Sequence, residues 1–192
     1  MEKIIEICQL GISEFVKVAQ ELQASDAFKK NMHLGAERIL QALRSGGKIL
    51  ACGNGGSMAQ AIHLAEELTG RYRRDRMPLP ALAISDPGHL SCVANDYGYE
   101  FVFSRYVEAL GRPGDVLALF TTSGHSANLL KAAATAREKG LATLGFTGHE
   151  ASPLSSLLDV EVRVPCKATP SRYQEVHLLA THLLLEILEE NF

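Results

Sequence analysis

No two cysteines of this chain stand in a C-x-x-C pair: Cys8, Cys52, Cys92 and Cys166 are scattered. A zinc site built from thiolates is therefore not expected. The cysteines read as small buried apolar residues in a reducing compartment. Charge of one sign is also missing, since 19 basic against 22 acidic side chains leave a net −3. That balance carries no electrostatic signature for nucleic acid or an anionic membrane. No apolar run approaches the roughly 20 residues that span a bilayer. The first residues, Met1-Glu2-Lys3-Ile4-Ile5-Glu6, carry acids and lack the basic-then-apolar order of a secretion signal, so a cytoplasmic location is expected. Repeats, low-complexity tracts and linkers are absent. What is present, 46% hydrophobic residues over 192 positions, suffices to bury the core of one compact domain, or a domain plus a helical extension.

The pattern of apolar residues changes once. Two helices open the chain. The first runs from about Glu2 to Gln23, with Ile5, Leu10, Ile12, Phe15, Val16, Ala19 and Leu22 near helical spacing. The second is capped by Ser25 or Asp26 and stops near Gly46-Gly47. Thereafter short apolar runs alternate with helical segments. The runs are Lys48–Ala51, Pro80–Ile84, Asp115–Phe120, Ala142–Phe146 and Val160–Val164; the helices are Met58–Gly70, Tyr99–Leu110, Ser126–Lys139 and about Ser171–Glu190. Strand-length runs without polar alternation are expected of parallel strands buried on both faces. The alternation predicts an α/β fold with a parallel, doubly wound sheet. Ligands of such sheets bind at the carboxyl ends of the strands.

Two loops sit at that edge. Cys52-Gly53-Asn54-Gly55-Gly56-Ser57 follows the first strand and opens a helix. Its glycines let the backbone approach an anion, and the first helical amides point at it, with Ser57 expected at the N-cap. The Lys of a Walker loop and the G-x-G-x-x-G of a dinucleotide fingerprint are both missing. The second loop, Thr121-Thr122-Ser123-Gly124-His125-Ser126, offers hydroxyls before a helix that Ser126 is expected to cap. Together the loops predict a phosphate site.

His63 and Glu67 lie four residues apart on one helix face, the spacing of a metal pair or an acid–base pair. Glu66 is adjacent, but only Glu67 is expected to share the face of His63. The last helix is apolar except for Arg172, Gln174, Glu175, His177 and His182. His177 reads best as a hydrogen-bonded core histidine. By spacing alone, Gln174 with His177 is an easier pair than Gln174 with His182. Asn95-Asp96-Tyr97-Gly98 has the composition of a turn, and its functional reading is recognition of sugar hydroxyls. Arg71 to Arg76 reads as a solvated basic loop, in which Arg71 can help hold an anion.

At these residues the chain resembles the phosphoheptose isomerases, enzymes of the sugar isomerase (SIS) domain class. The matching segments are Cys52–Ser57, His63…Glu67 with Leu68-Thr69-Gly70-Arg71-Tyr72, Asn95–Gly98, Phe103-Ser104-Arg105, Thr122-Ser123-Gly124, and Arg172…Gln174-Glu175…His177…His182. The resemblance covers nearly the whole chain. It implies a five-stranded, flavodoxin-like sheet with an N-terminal helical hairpin. Residues 1–46 would serve oligomerisation and 47–192 would form the SIS domain. It implies conversion of sedoheptulose 7-phosphate to D-glycero-D-manno-heptose 7-phosphate, a step toward ADP-heptose and lipopolysaccharide. A homotetramer with sites between subunits is implied. So is one zinc per site, on His63, Glu67, Gln174 and His182, with Glu67 and His182 as the acid–base pair. Substrate contacts are implied for Asn54, Gly55, Gly56, Ser57, Glu67, Asn95, Asp96, Thr121, Thr122, Ser123, Ser126 and Gln174. Gln60 stands where that family usually has Asp. A second class shares the fold: non-catalytic SIS tetramers that bind a replication initiator, or SIS domains that sense sugar phosphates. Such a protein need not keep Glu67 together with His182, and this chain has both.

Overall fold

The computed structural model describes residues 1–192. Five strands form, β1 (Ile49–Gly53), β2 (Ala81–Ala83), β3 (Val116–Phe120), β4 (Ala142–Thr147) and β5 (Val160–Arg163). Seven α-helices surround them: α1 (Glu2–Ala24), α2 (Asp26–Arg44), α3 (Gly56–Thr69), α4 (Pro87–Asp96), α5 (Ser104–Leu110), α6 (Ala127–Glu138) and α7 (Pro170–Glu189). All strand pairs are parallel, in the order β2-β1-β3-β4-β5. This is the flavodoxin-like order, and it reverses between β1 and β3.

The central strands are apolar because they feed two cores. Ile49 and Ala51 of β1, with Val116, Ala118 and Phe120 of β3, enter one core with α2, α3 and α7. Their neighbours Leu50, Cys52, Leu117 and Leu119 enter the other, with α4, α5 and α6. Successive residues of a strand point to opposite faces, so an unbroken apolar run fills both layers. Phe120 and Phe146 stack with centroids 4.6 Å apart. Each fully buried large side chain contributes roughly 1.5–3 kcal/mol, which makes the sheet centre a rigid support for the loops at its edge.

The N-terminal helices divide their roles. Ser25 alone separates them, and its hydroxyl caps α2 by accepting from the Phe28 amide at 3.1 Å. α2 buries Phe28, Met32, Ala36, Ile39 and Ala42 in the sheet-covering layer. α1 buries only Val18 and Leu22 and runs on to α7. Along it Ile4, Ile5, Ile7, Leu10, Ile12 and Val16 stay exposed.

Three local expectations are corrected. The segment Tyr99–Leu110 is not one helix: a 3-10 turn at Tyr99–Phe101 precedes α5. Gly98, at φ +103°, sets the break that starts it. Asn95 and Asp96 close α4 rather than form a turn. That helix is started by Asp86, which accepts from the His89 amide, and by Pro87 in the first turn. α3 begins at Gly56, two residues earlier than the apolar spacing indicated.

Candidate active site

The two polar loops leave β1 and β3, the strands that flank the reversal of strand order. Gly55, not Ser57, is the N-cap of α3, at φ 57° and ψ −121°. That conformation suits glycine alone, which is why the helix starts where it does. Ser57 lies in the first turn and is buried. Gly53 allows this close fold: a Cβ there would stand 2.6 Å from the Ser57 carbonyl oxygen. Ser126 does occupy the N-cap of α6, but its hydroxyl makes no capping bond. Thr121 is buried, and its Oγ1 accepts from the Gly124 amide at 3.0 Å, so it shapes the loop. Thr122 is partly buried and Ser123 is exposed.

The loops are tied together by a residue the sequence reading missed. Asn128, buried in the first turn of α6, exchanges two amide hydrogen bonds with Asn54, at 3.0 and 2.8 Å. Tyr99 donates its hydroxyl to Asn54 Oδ1 at 3.2 Å. The Asn54 side chain is thus a brace between β1–α3, β3–α6 and the segment after α4. Asn95 and Asp96 are exposed, and Asn95 donates to Asp96 Oδ1 at 2.8 Å. A polar residue two positions into an apolar helix was the only sequence signal for Asn128.

The second cluster spans two helices. His63 Nε2 on α3 lies 2.9 Å from His182 Nε2 on α7, and 3.9 Å from Glu67 Oε1. All three side chains are partly buried. Glu66 proves to matter as well, contrary to the expectation that only Glu67 shares this face. Its carboxylate accepts from His63 Nδ1 at 3.0 Å. An i,i+3 neighbour is as close as an i,i+4 one on a helix, so the pair divides the two ring nitrogens between them. Glu66 thus takes the Nδ1 side of the ring, while Nε2 faces His182 and, farther off, Glu67. Tyr72, from the loop after α3, stacks on the His182 ring with centroids 5.5 Å apart.

Gln174 is not hydrogen-bonded to that cluster. Its side-chain amide lies where a Cβ on Gly56 would meet it at 2.7–2.8 Å. Gly56 is seven residues, about 10 Å along an ideal helix, from His63. The Gln174 carbonyl accepts from Gln60 Nε2 at 2.5 Å, while Gln60 Oε1 is buried without a partner. His177 is the core residue its surroundings suggested. It donates from Nε2 to the Thr147 carbonyl at 3.0 Å and packs edge-on to Phe120 and Phe146. Burial lowers its pKa to about 4.

The donor set of the cluster fits a divalent metal. His63, Glu66 and Glu67 bring ligand atoms within 4.8 Å of one another, and His182 adds a second imidazole. Imidazole with carboxylate suits zinc, and a carboxylate on the remote ring nitrogen is the usual outer partner of a metal-bound histidine. The cysteines stay out of it. Cys52 is wholly buried, and burial pushes its thiol pKa up, but Cys8 and Cys92 are exposed and Cys166 is only partly buried, contrary to the expectation that all four are buried.

Known proteins resemble this chain over nearly its whole length. The SIS domain family model matches residues 14–148. A phosphoheptose isomerase of Pectobacterium atrosepticum is 48% identical over 185 residues, covering 96% of both chains. One from Vibrio cholerae is 47% identical, covering 96% of this chain and 97% of its own. The solved phosphoheptose isomerase of Neisseria gonorrhoeae superposes with a TM-score of 0.90 at 38% identity, covering 97% of this chain and 99% of its own. That of Francisella tularensis also gives 0.90, at 31% identity, over 99% of this chain and all of its own. The chain belongs to the phosphoheptose isomerase family of SIS-domain proteins.

Proposed function

We propose that the chain interconverts sedoheptulose 7-phosphate and D-glycero-D-manno-heptose 7-phosphate, in the cytoplasm, on the route to ADP-heptose. The observation that carries this reading is the meeting of His63, Glu67 and His182 across α3 and α7, beside two polar loops at the reversal of strand order. Ketose–aldose exchange moves one proton between C1 and C2 and another between O1 and O2. Glu67, as carboxylate, takes the carbon-bound proton and returns it to the neighbouring carbon. His182 moves the proton between the oxygens, and Tyr72 against its ring fixes the plane in which it does so. Ser57, Thr122, Ser126 and the amides of Gly55 and Gly56 hold the phosphate, with Thr121 and Ser123 shaping their loop. Asn95 and Asp96 receive sugar hydroxyls, and Asn54 and Gln174 line the path between phosphate and cluster.

Zinc is the cofactor of this reading. His63, Glu67 and His182 would hold it, with Gln174 as a fourth ligand and Glu66 behind His63, and Glu67 would have to exchange off it to act as the carbon base. When bound it stabilises negative charge on the substrate oxygens. The exposed apolar stripe of α1 supports assembly into a homotetramer, because patches of that kind mark interfaces. A cleft between α1 and α7, lined by Ile7, Ile12, Phe15, Arg172, Leu178 and His182, supports a site completed by a neighbouring subunit. No helix is long and apolar enough to cross a membrane.

The test is incubation with sedoheptulose 7-phosphate, with and without added zinc, and detection of the aldose phosphate by NMR. Product from the unmodified chain, and none from Glu67→Gln, is expected. Equal product from both removes Glu67 as the base, and none from either removes the activity.

A further inference from the structure

Arg71, Arg73, Arg74 and Asp75 are exposed, as the composition of the basic run suggested, but Arg76 is not. The Arg76 side chain is only 4% exposed. Its guanidinium donates to the carbonyls of Glu67 at 2.6 Å and Leu68 at 2.9 Å, in the last turn of α3. These are carbonyls that a helix end leaves without intrahelical partners, and a cation there is favoured by the helix dipole. The guanidinium Nε lies 3.9 Å from Glu189 Oε1, near the end of α7. That carboxylate side chain is likewise 4% exposed, and the same oxygen accepts from the amides of Arg73 at 2.9 Å and Arg74 at 3.2 Å. One buried charge pair therefore joins the end of the helix bearing Glu67, the end of the helix bearing His182, and the loop between.

We infer that Arg76, through Glu189, is a positioning residue: it sets α3 against α7 and holds Tyr72 on the His182 ring. The inference rests on the reading of Glu67 and His182 as the acid–base pair. α3 and α7 also meet in the shared core and through the Gln60 bond to the Gln174 carbonyl; the Arg76–Glu189 pair fixes their far ends. His63 and His182 meet at 2.9 Å from helices whose own periodicity does not relate them. Tyr72 sits one residue before the amides that Glu189 binds, and Arg73 also pairs with Glu186 at 2.8 Å. The loops assigned to the phosphate lie at the other end of α3, so a loosened strap disturbs proton transfer and leaves phosphate capture in place. A small misplacement of reacting groups costs up to about a hundredfold in rate.

Arg76→Lys keeps the charge beside Glu189 and loses the fork that binds the Glu67 and Leu68 carbonyls. Glu189→Gln keeps an acceptor for the loop amides and loses the charge. Each is expected to lower kcat at least about tenfold with KM for sedoheptulose 7-phosphate within about twofold, the signature of lost transition-state alignment. Val107→Ala, in the core on the other face of the sheet, is a control for destabilisation alone and should leave kcat in place. A second readout does not use turnover. The chain has no tryptophan, so Tyr72→Trp introduces a lone indole against His182. Its emission should shift to the red when Arg76→Lys or Glu189→Gln is added. A red shift with kcat intact overturns the inference, and so does an unshifted emission. A red shift in a protein without isomerase activity in any form overturns the function on which the inference rests, and with it the role of Arg76, while leaving the strap as structure.

Discussion

Acidification should destabilise this protein through one buried histidine. His177 is 1% exposed; its Nε2–H is spent on Thr147, and Nδ1 has no partner. A second proton would have to sit on Nδ1, which is buried with no acceptor to receive it. Burial accordingly lowers the pKa from 6.5 to about 4. Between those values the unfolded chain binds a proton at this residue and the folded chain does not. Stability therefore rises with pH through the window: the contribution is complete above 6.5 and is lost as pH falls to 4. The loss by pH 4 amounts to about 3 kcal/mol, at 1.36 kcal/mol for each unit of pKa difference. His177→Gln supplies the comparison, since its amide can still donate to Thr147 but does not titrate. Urea unfolding followed by far-UV circular dichroism, at one protomer concentration so that association is constant, measures both proteins from pH 7 to pH 4. Carboxylates that titrate in the same range cancel in the difference. The unmodified chain should lose about 3 kcal/mol more than the variant. Parallel curves, within about 0.5 kcal/mol, would refute the assignment of a neutral, desolvated imidazole at this position.

Other outcomes follow from the site. His182→Ala should lose both zinc and turnover while His177→Ala keeps its zinc, because His182 faces His63 and His177 faces the core; metal analysis of the purified variants decides. Ser126→Ala should raise KM about tenfold with little change in kcat, as phosphate contacts are the same in ground and transition states, and steady-state kinetics checks this. Gly56→Ala should push the Gln174 amide aside, lowering kcat at nearly unchanged thermal stability, since the clash is with the end of a flexible side chain. Leu10→Glu on the exposed face of α1 should give a smaller species by light scattering, and an unchanged mass would count against assembly through that stripe.

The sheet was legible in the sequence because its causes are local. Five apolar runs, each ended by glycine or polar residues, mark strands that bury both faces, and all five form within a residue or two of where the pattern puts them, β2 being shorter. Errors gathered where glycine or a short-range bond overrides apolar spacing. Gly55 starts α3 early, and Gly98 splits Tyr99–Leu110. The i,i+4 spacing points to Glu67 as the partner of His63, yet the i,i+3 carboxylate of Glu66 is the nearer, at 3.0 Å against 3.9 Å.

What periodicity does not carry is which faces meet. His63 and His182 are 119 positions apart, and Asn54 and Asn128 are 74 apart. Each lies on an element whose pattern says only that one side is buried. The strand order supplies the missing relation. β1 and β3 are neighbours, so the loops that leave them converge and Asn54 finds Asn128. α3 and α7 cover the same face, so their polar positions converge and His63 finds His182. Arg76 shows the same limit from the other side. Within a run of arginines it looks like solvent-facing charge, and only the two helix ends that come together at Glu189 make its burial favourable. A charged residue in a loop is thus exposed or buried according to the orphaned carbonyls and carboxylates that the fold brings to it, a property of the topology and not of the segment.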